Sequence, residues 1–329
     1  MELHDIATDG IVSTRQAASL GLGPPDLRAL VSSGALRRLV RGWYAVRAPH
    51  EDRPPWEGFD RFESARALHR LTTIALLRSF EGRVCASHQS ALVLHGIALW
   101  RSDLSIVHVG RTTDDHTRHR TGAIIHPSCG VDPVTSCGHL TVPVAVAVVQ
   151  VGLRPMLGKV AFPLESLVAA DNALHLGAIT RAELDAAVEL HVGHPGIRAV
   201  REHLAHADGR HESVGETRLA VALRLLGYES DPQEPRRVGE STYRVDRRIR
   251  GTRVVVEFDG MSKYLPPEPT EDDFAQARAA LEAEKTRQDQ LLDTGDEFVR
   301  VRWRQLDDLP ALRRRIEAAI VRSGGRRSA

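Results

Sequence analysis

Lysine, cysteine and methionine are scarce in this 329-residue chain, with three of each. Cys85, Cys129 and Cys137 are too few and too irregularly spaced for a disulfide framework, as expected of a protein kept in a reducing cytoplasm. No apolar run approaches the ~18 residues of a membrane-spanning helix. The Met1–Gly10 stretch also lacks a charged start followed by an apolar block, so the expectation is a cytoplasmic chain, neither secreted nor membrane-inserted. Charge of one sign is missing too: 44 basic against 43 acidic residues leave a net +1. With no global basic field, any surface for nucleic acid must be local. Lys159, Lys263 and Lys285 are the only lysines, and each is worth examining because an ammonium and a guanidinium are not interchangeable. What is present is a globular balance, 42% hydrophobic and 26% charged, and a length that calls for two or three domains.

Residues 1–48 read as a compact helical unit closed by a hairpin. Ser13 and Gln16 have capping-box spacing ahead of a short helix over Thr14–Leu20. Gly21-Leu-Gly23 turns the chain, and Pro24-Pro25 suits the first turn of a second helix that Gly34 ends. Residues 36–46 then read as two short strands around Arg41-Gly42. Helix, turn, helix and basic hairpin is the order of a winged helix-turn-helix. Arg37, Arg38 and Arg41 are the candidate phosphate contacts, with Arg28, Ser32 and Ser33 on the recognition helix. A small protein-binding module with solvated arginines would share the pattern.

Three prolines in residues 49–55 mark a linker. The region 56–208 mixes helices and strands and reads as an α+β domain. A helix is expected over Ser87–Gly96, strands over Leu104–Val109 and Ala123–His126, and a helix capped by Thr180 with Glu183. Twelve of the sixteen histidines fall in 88–206. Cys129, Cys137, His126 and His139 invite a zinc reading, but the cysteines are too far apart for a zinc pair, so these read as ordinary core and surface positions. The pairs His116/His119, His191/His194 and His203/His206 are expected to face solvent.

The third region, 212–323, carries the chemistry. Ser213 and Glu216 form another capping-box pair before a helix that ends at Gly227. Tyr243–Ile249 and Arg253–Asp259 read as strands joined by a type II′ turn at Gly251-Thr252. In that register paired residue numbers sum to 503. Asp246 then lies opposite Glu257, and Asp259 shares their face opposite Arg244, with Val245, Val254, Val256 and Phe258 on the reverse. Opposed carboxylates imply a protonated acid or a cation between them, and oxygen ligands with open positions suit Mg²⁺ (or Mn²⁺). A solvated acidic sheet edge is the plainer alternative. Beyond the proline-rich Leu265–Pro269, a long helix capped by Thr270 runs to about Thr294 with Lys285 on its apolar side, and Phe298–Trp303 supplies a last strand.

Two resemblances follow. The string from Ile11-Val-Ser-Thr-Arg-Gln-Ala-Ala to Arg41-Gly-Trp-Tyr-Ala-Val46 resembles the N-terminal winged-helix domain of AbiEi-type antitoxins from type IV toxin–antitoxin systems, and the middle region is similar to AbiEi-like regulators. The resemblance implies duplex DNA and a cognate toxin as partners. The αβββαβ order with Asp246, Glu257-Phe-Asp259-Gly260, Glu284-Lys-Thr-Arg-Gln-Asp289 and Val299-Arg-Val-Arg-Trp303 resembles the PD-(D/E)XK, restriction-endonuclease-like superfamily, and within it domains related to very-short-patch repair endonucleases. That implies Mg²⁺-dependent phosphodiester cleavage, with Asp246 and Glu257 as metal ligands and Glu216 as the first-helix acid, a position it could hold beside its capping role. Where the family has lysine, this chain has Asp259. Lys263 or Lys285 could stand in, or the domain could be inactive and the chain a regulator or antitoxin.

Overall fold

The computed structural model describes residues 2–49, 52–113, 116–153, 163–238, 241–260 and 295–324, with backbone alone at 236–238 and 241–243. Lys159, Lys263, Lys285, the proline-rich loop and the helix expected over Thr270–Thr294 lie outside these. The chain divides into two compact units: residues 1–173 with 177–207, and residues 174–176 with 208–329. Among the described residues, no helix is long and apolar enough to cross a membrane.

The first unit begins with α1 (Leu3–Ile6), β1 (Ile11–Ser13), α2 (Thr14–Ser19), α3 (Pro24–Ser32), β2 (Leu36–Val40) and β3 (Trp43–Val46). The expected box opens α2: Gln16 N–H donates to Ser13 Oγ at 3.1 Å, and Ser13 N–H to Gln16 Oε1 at 2.9 Å. Gly34, at φ +78°, ends α3 with a conformation that costs a side chain more. The three strands form an antiparallel sheet in the order β1-β3-β2. Val12, Ala17, Leu27, Leu36 and Val46 form its core. Helix, helix and hairpin are a winged helix, as the local signals predicted.

The same unit continues with α4 (Arg61–Ser79), β4 (Val84–Ala86), α5 (His88–Leu94), β5 (Val107–Arg111), β6 (Arg118–Arg120), β7 (Ala123–His126), β8 (Val134–Ser136), β9 (His139–Thr141), α6 (Val144–Leu153), α7 (Pro163–His175), α8 (Arg181–Leu190) and α9 (Ile197–Leu204). The sheet order is β6-β7-β5-β4-β9-β8, mixed parallel and antiparallel. Every residue of α6 is buried, which explains a helix apolar on all sides. The winged helix is tied to α4. Arg78 donates to Thr8 O at 2.9 Å and pairs with Asp9, which also lies 3.3 Å from His139.

Of the histidine pairs expected in solvent, His191 and His203 depart: each ring bonds back onto its own helix, His191 Nδ1 to Ala187 O at 2.7 Å and His203 Nδ1 to Ala199 O at 3.0 Å. Burial holds His95, His139 and His191 below the ordinary imidazole value. As pH falls through ~6.5 the unfolded chain takes up these protons before the folded chain does. Stability from these groups is therefore complete above that pH and declines below it. Thermal melts should give a lower Tm at about pH 5.5 than at about pH 8; an equal or higher Tm at the lower pH would contradict this.

The second unit holds α10 (Val214–Leu225), β10 (Ser230–Val238), β11 (Ser241–Ile249), β12 (Val254–Phe258), β13 (Glu297–Val301), a 3₁₀ turn at Trp303–Leu306 and α11 (Leu309–Arg322). The sheet runs β10-β11-β12-β13, and β12 pairs with β13 in parallel. As an edge strand β10 tolerates Pro232 and Pro235. Leu219 and Leu223 of α10 meet Val254, Val256, Val299 and Val301, and α11 closes that core with Leu312, Ile316 and Ile320. α11 is a further helix after the last strand expected from the sequence.

Candidate functional site

The recognition-helix candidates lie where a winged helix presents them. Arg28 is exposed on α3, as is Ser32 in its last turn. Ser33 is the C-cap, and its hydroxyl donates to Leu30 O at 3.0 Å. Arg37, Arg38 and Arg41 are exposed on the β2–β3 hairpin. Gly42, at φ +82°, makes the tip, and its carbonyl accepts Thr14 N–H at 2.9 Å, fixing the hairpin against α2. The structure thus brings four exposed arginines onto α3 and the β2–β3 hairpin.

In the second unit, β11 and β12 pair as Arg247↔Val256 and Arg248↔Val255, the register whose numbers sum to 503. The turn differs from the expected one. Thr252 N–H bonds Ile249 O at 3.3 Å, so Arg250-Gly251 are its central residues, and Gly251 (φ +70°) takes the second position. Past Arg247 the ladder gives way, and Asp246 Oδ2 accepts Phe258 N–H at 2.8 Å. Val245 packs with Val255 and Phe298, not with Val254 and Val256 as the simple alternation predicts. Nor does Arg244 face Asp259; it pairs with Glu212.

Glu257 is 7% exposed, and Arg300 of β13 stands 3.8 Å from its Oε2. Asp259 meets Arg302 at 3.3 Å. Glu216, also buried, accepts from Ser213 Oγ at 2.8 Å, Glu212 N–H at 3.1 Å and Gln233 Nε2 at 2.9 Å. Its second oxygen thus caps one residue earlier than a simple capping box requires. Among the described residues, Glu216, Asp246, Glu257 and Asp259 form no set of three ligand oxygens within 4.8 Å of one another. Asp246 and Glu257 lie on the neighbouring strands β11 and β12. Arg300 and Arg302 were not among the expected site residues, although alternate arginines in Val299-Arg-Val-Arg302 place both on one face of a strand.

Residues 5–47 match the family model described as transcriptional regulator, AbiEi antitoxin. The chain begins with a regulator domain of that type. No curated protein matches the chain. Among solved structures, the RV2827C protein from Mycobacterium tuberculosis is similar over 64% of this chain and 75% of that one, at 15% identity and a TM-score of 0.35, too loose a likeness to carry an argument.

The regulator domain contains all six DNA-contact candidates and none of the acids, which lie beyond the matched residues. The acid strand is instead positioned by a close approach. A Cβ at Gly215 on α10 would lie 2.0 Å from the Phe258 ring, whose backbone N–H holds Asp246. Gly215→Ala gains at most about 1 kcal/mol of helix propensity, while forcing the ring aside costs about 1–3 kcal/mol. Urea unfolding should therefore show net destabilisation of the second unit; an unchanged or raised midpoint would contradict the contact.

Proposed function

We propose that the chain is a DNA-binding transcriptional regulator of the type IV antitoxin class, acting in the cytoplasm with duplex DNA and a cognate toxin as partners. The observation that carries this reading is the exposed arginine set on α3 and the β2–β3 hairpin, inside the matched regulator domain. A recognition helix supplies base contacts while a wing tracks phosphates, and guanidinium forks suit both. The full chain should select a common sequence from a random pool of duplexes at physiological salt. Failure to enrich any sequence, with purely non-specific binding, would overturn the regulator reading.

A second reading, a Mg²⁺-dependent endonuclease of the PD-(D/E)XK type, is supported by Asp246 and Glu257 on neighbouring strands joined through the Phe258 N–H. These two residues would hold Mg²⁺ or Mn²⁺, which supplies an acidified water and charge neutralisation when bound. In this chain Glu257 would orient that ion, Asp246 would complete the pair, and Arg300 would face the phosphate with fixed positive charge. Arg300 and Arg302 also neutralise Glu257 and Asp259 without any ion, which favours the regulator reading.

A further inference from the structure

The histidine-rich part of the first unit holds an arrangement that neither reading uses. His88 opens α5, His108 lies on β5 and His126 ends β7. A ligand nitrogen from each comes within 4.8 Å of the other two. The parallel β5–β7 pairing sets Gly110 opposite His126, so His108, two residues before Gly110, shares a face with His126. His108 Nδ1 and His126 Nε2 share a hydrogen bond at 2.8 Å. The His88 ring stacks on that of His126 with centroids 4.1 Å apart, and its centroid lies 5.0 Å from that of His108. His88 takes a left-handed backbone at φ +51°, and its N–H donates to Gln150 Oε1 of α6 at 3.1 Å. Packing from three elements thus holds an uncommon backbone conformation and delivers the third ring. His108 is 2% exposed, whereas His88 and His126 are half-buried, so the cluster opens on one side.

Three imidazole nitrogens with no carboxylate or thiolate in the set form a borderline-soft donor group. Such a group suits Zn²⁺, Ni²⁺ or Cu²⁺ and is wrong for Mg²⁺ or Ca²⁺, which take oxygen. We propose that His88, His108 and His126 bind a divalent transition-metal ion, with Zn²⁺ as its representative and the fourth position open to water or an external ligand. Zn–N bonds of about 2.0–2.1 Å put tetrahedral ligand atoms about 3.3 Å apart. The 2.8 Å contact therefore widens by about half an ångström, and the wider pairs close in. The ring nitrogen that carried the shared hydrogen becomes a ligand when that proton moves to the other nitrogen of the same ring, so all three ligands are neutral imidazoles. Of Cys129, Cys137, His126 and His139, which read from the sequence as ordinary core and surface positions, only His126 belongs to this trio. His139 is committed beside Asp9, and Cys137 is exposed.

The test is titration of the full chain, stripped with a chelator, with Zn²⁺ against a chromophoric competitor, and with Co²⁺ followed by its visible absorption. One ion per chain and the intense bands of low-coordinate Co²⁺ are expected. His126→Asn and His88→Asn should each weaken binding at least about 100-fold, the upper end for loss of a mere supporting hydrogen bond. Asparagine is chosen at position 88 because it tolerates left-handed backbone. Retained metal-free melting temperatures exclude misfolding as the cause, and either folded variant alone decides the matter. The exposed-site variant His116→Asn should bind as the parent does, which separates this site from scattered histidines. Absence of bound Zn²⁺, or equal affinity in the folded variants, would reduce the trio to a hydrogen-bonded stack and overturn the proposal.

Discussion

Replacing Arg37, Arg38 and Arg41 together by alanine is expected to flatten the salt dependence of duplex binding by about 3 units of log–log slope. Each phosphate contact releases close to one counterion, so three lost contacts remove nearly three. Across a fourfold change in salt, the parent should then lose about 40-fold more affinity than the triple variant. All three side chains are exposed, so the melting temperature should hardly move. Arg28→Ala should behave differently, relaxing sequence preference more than it changes the slope, because α3 is the element placed to read bases. An unaltered slope in the triple variant would remove the hairpin from the interface.

Asp246→Asn is expected to abolish any Mg²⁺- or Mn²⁺-dependent nicking or cutting while leaving the affinity of the N-terminal domain for DNA intact. Asparagine keeps an oxygen that can accept the Phe258 N–H, so the strands stay joined and only ligand charge is lost. Glu257→Gln should match it, since both acids would serve one ion. Of Lys263→Ala and Lys285→Ala, the one that touches catalysis should lose turnover without losing metal affinity. If the parent binds the ion but cuts neither duplex, single-stranded nor mismatched DNA, the endonuclease reading falls and the regulator reading stands alone.

The features legible in the sequence were those decided within a few residues. Ser13 with Gln16 and Thr180 with Glu183 make reciprocal caps, because a cap needs only a hydroxyl and an acceptor three positions apart. The β11–β12 register also emerged correctly, although the turn type that suggested it did not, since the spacing of the two strands constrains the pairing more than the turn's dihedrals do. Features that depend on distant chain segments were hidden. Glu257 faces Arg300 only because β12 and β13 pair in parallel, and no spacing rule connects positions so far apart. His88, His108 and His126 are likewise assembled by strand order. Val-Ala-Val-Ala-Val in α6 has the β-branched alternation of a strand, yet complete burial among neighbouring elements makes it a helix.

The salt link and packing between the winged helix and α4 have a consequence for how this head could be moved between proteins. A Cβ added at Gly10 would lie 3.6 Å from Leu71 and 3.8 Å from Pro55, Arg78 holds Thr8 and Asp9, and its guanidinium lies 5.9 Å from the Trp43 ring centroid. Severing the chain in the proline-rich stretch would strip one wall from each fragment and uncover apolar surface on both. The winged-helix head and the helix behind it are therefore a single unit of inheritance: recombination that transplants the first without the second would deliver a sticky, poorly folded graft, and successful exchanges should carry the breakpoint beyond Ser79.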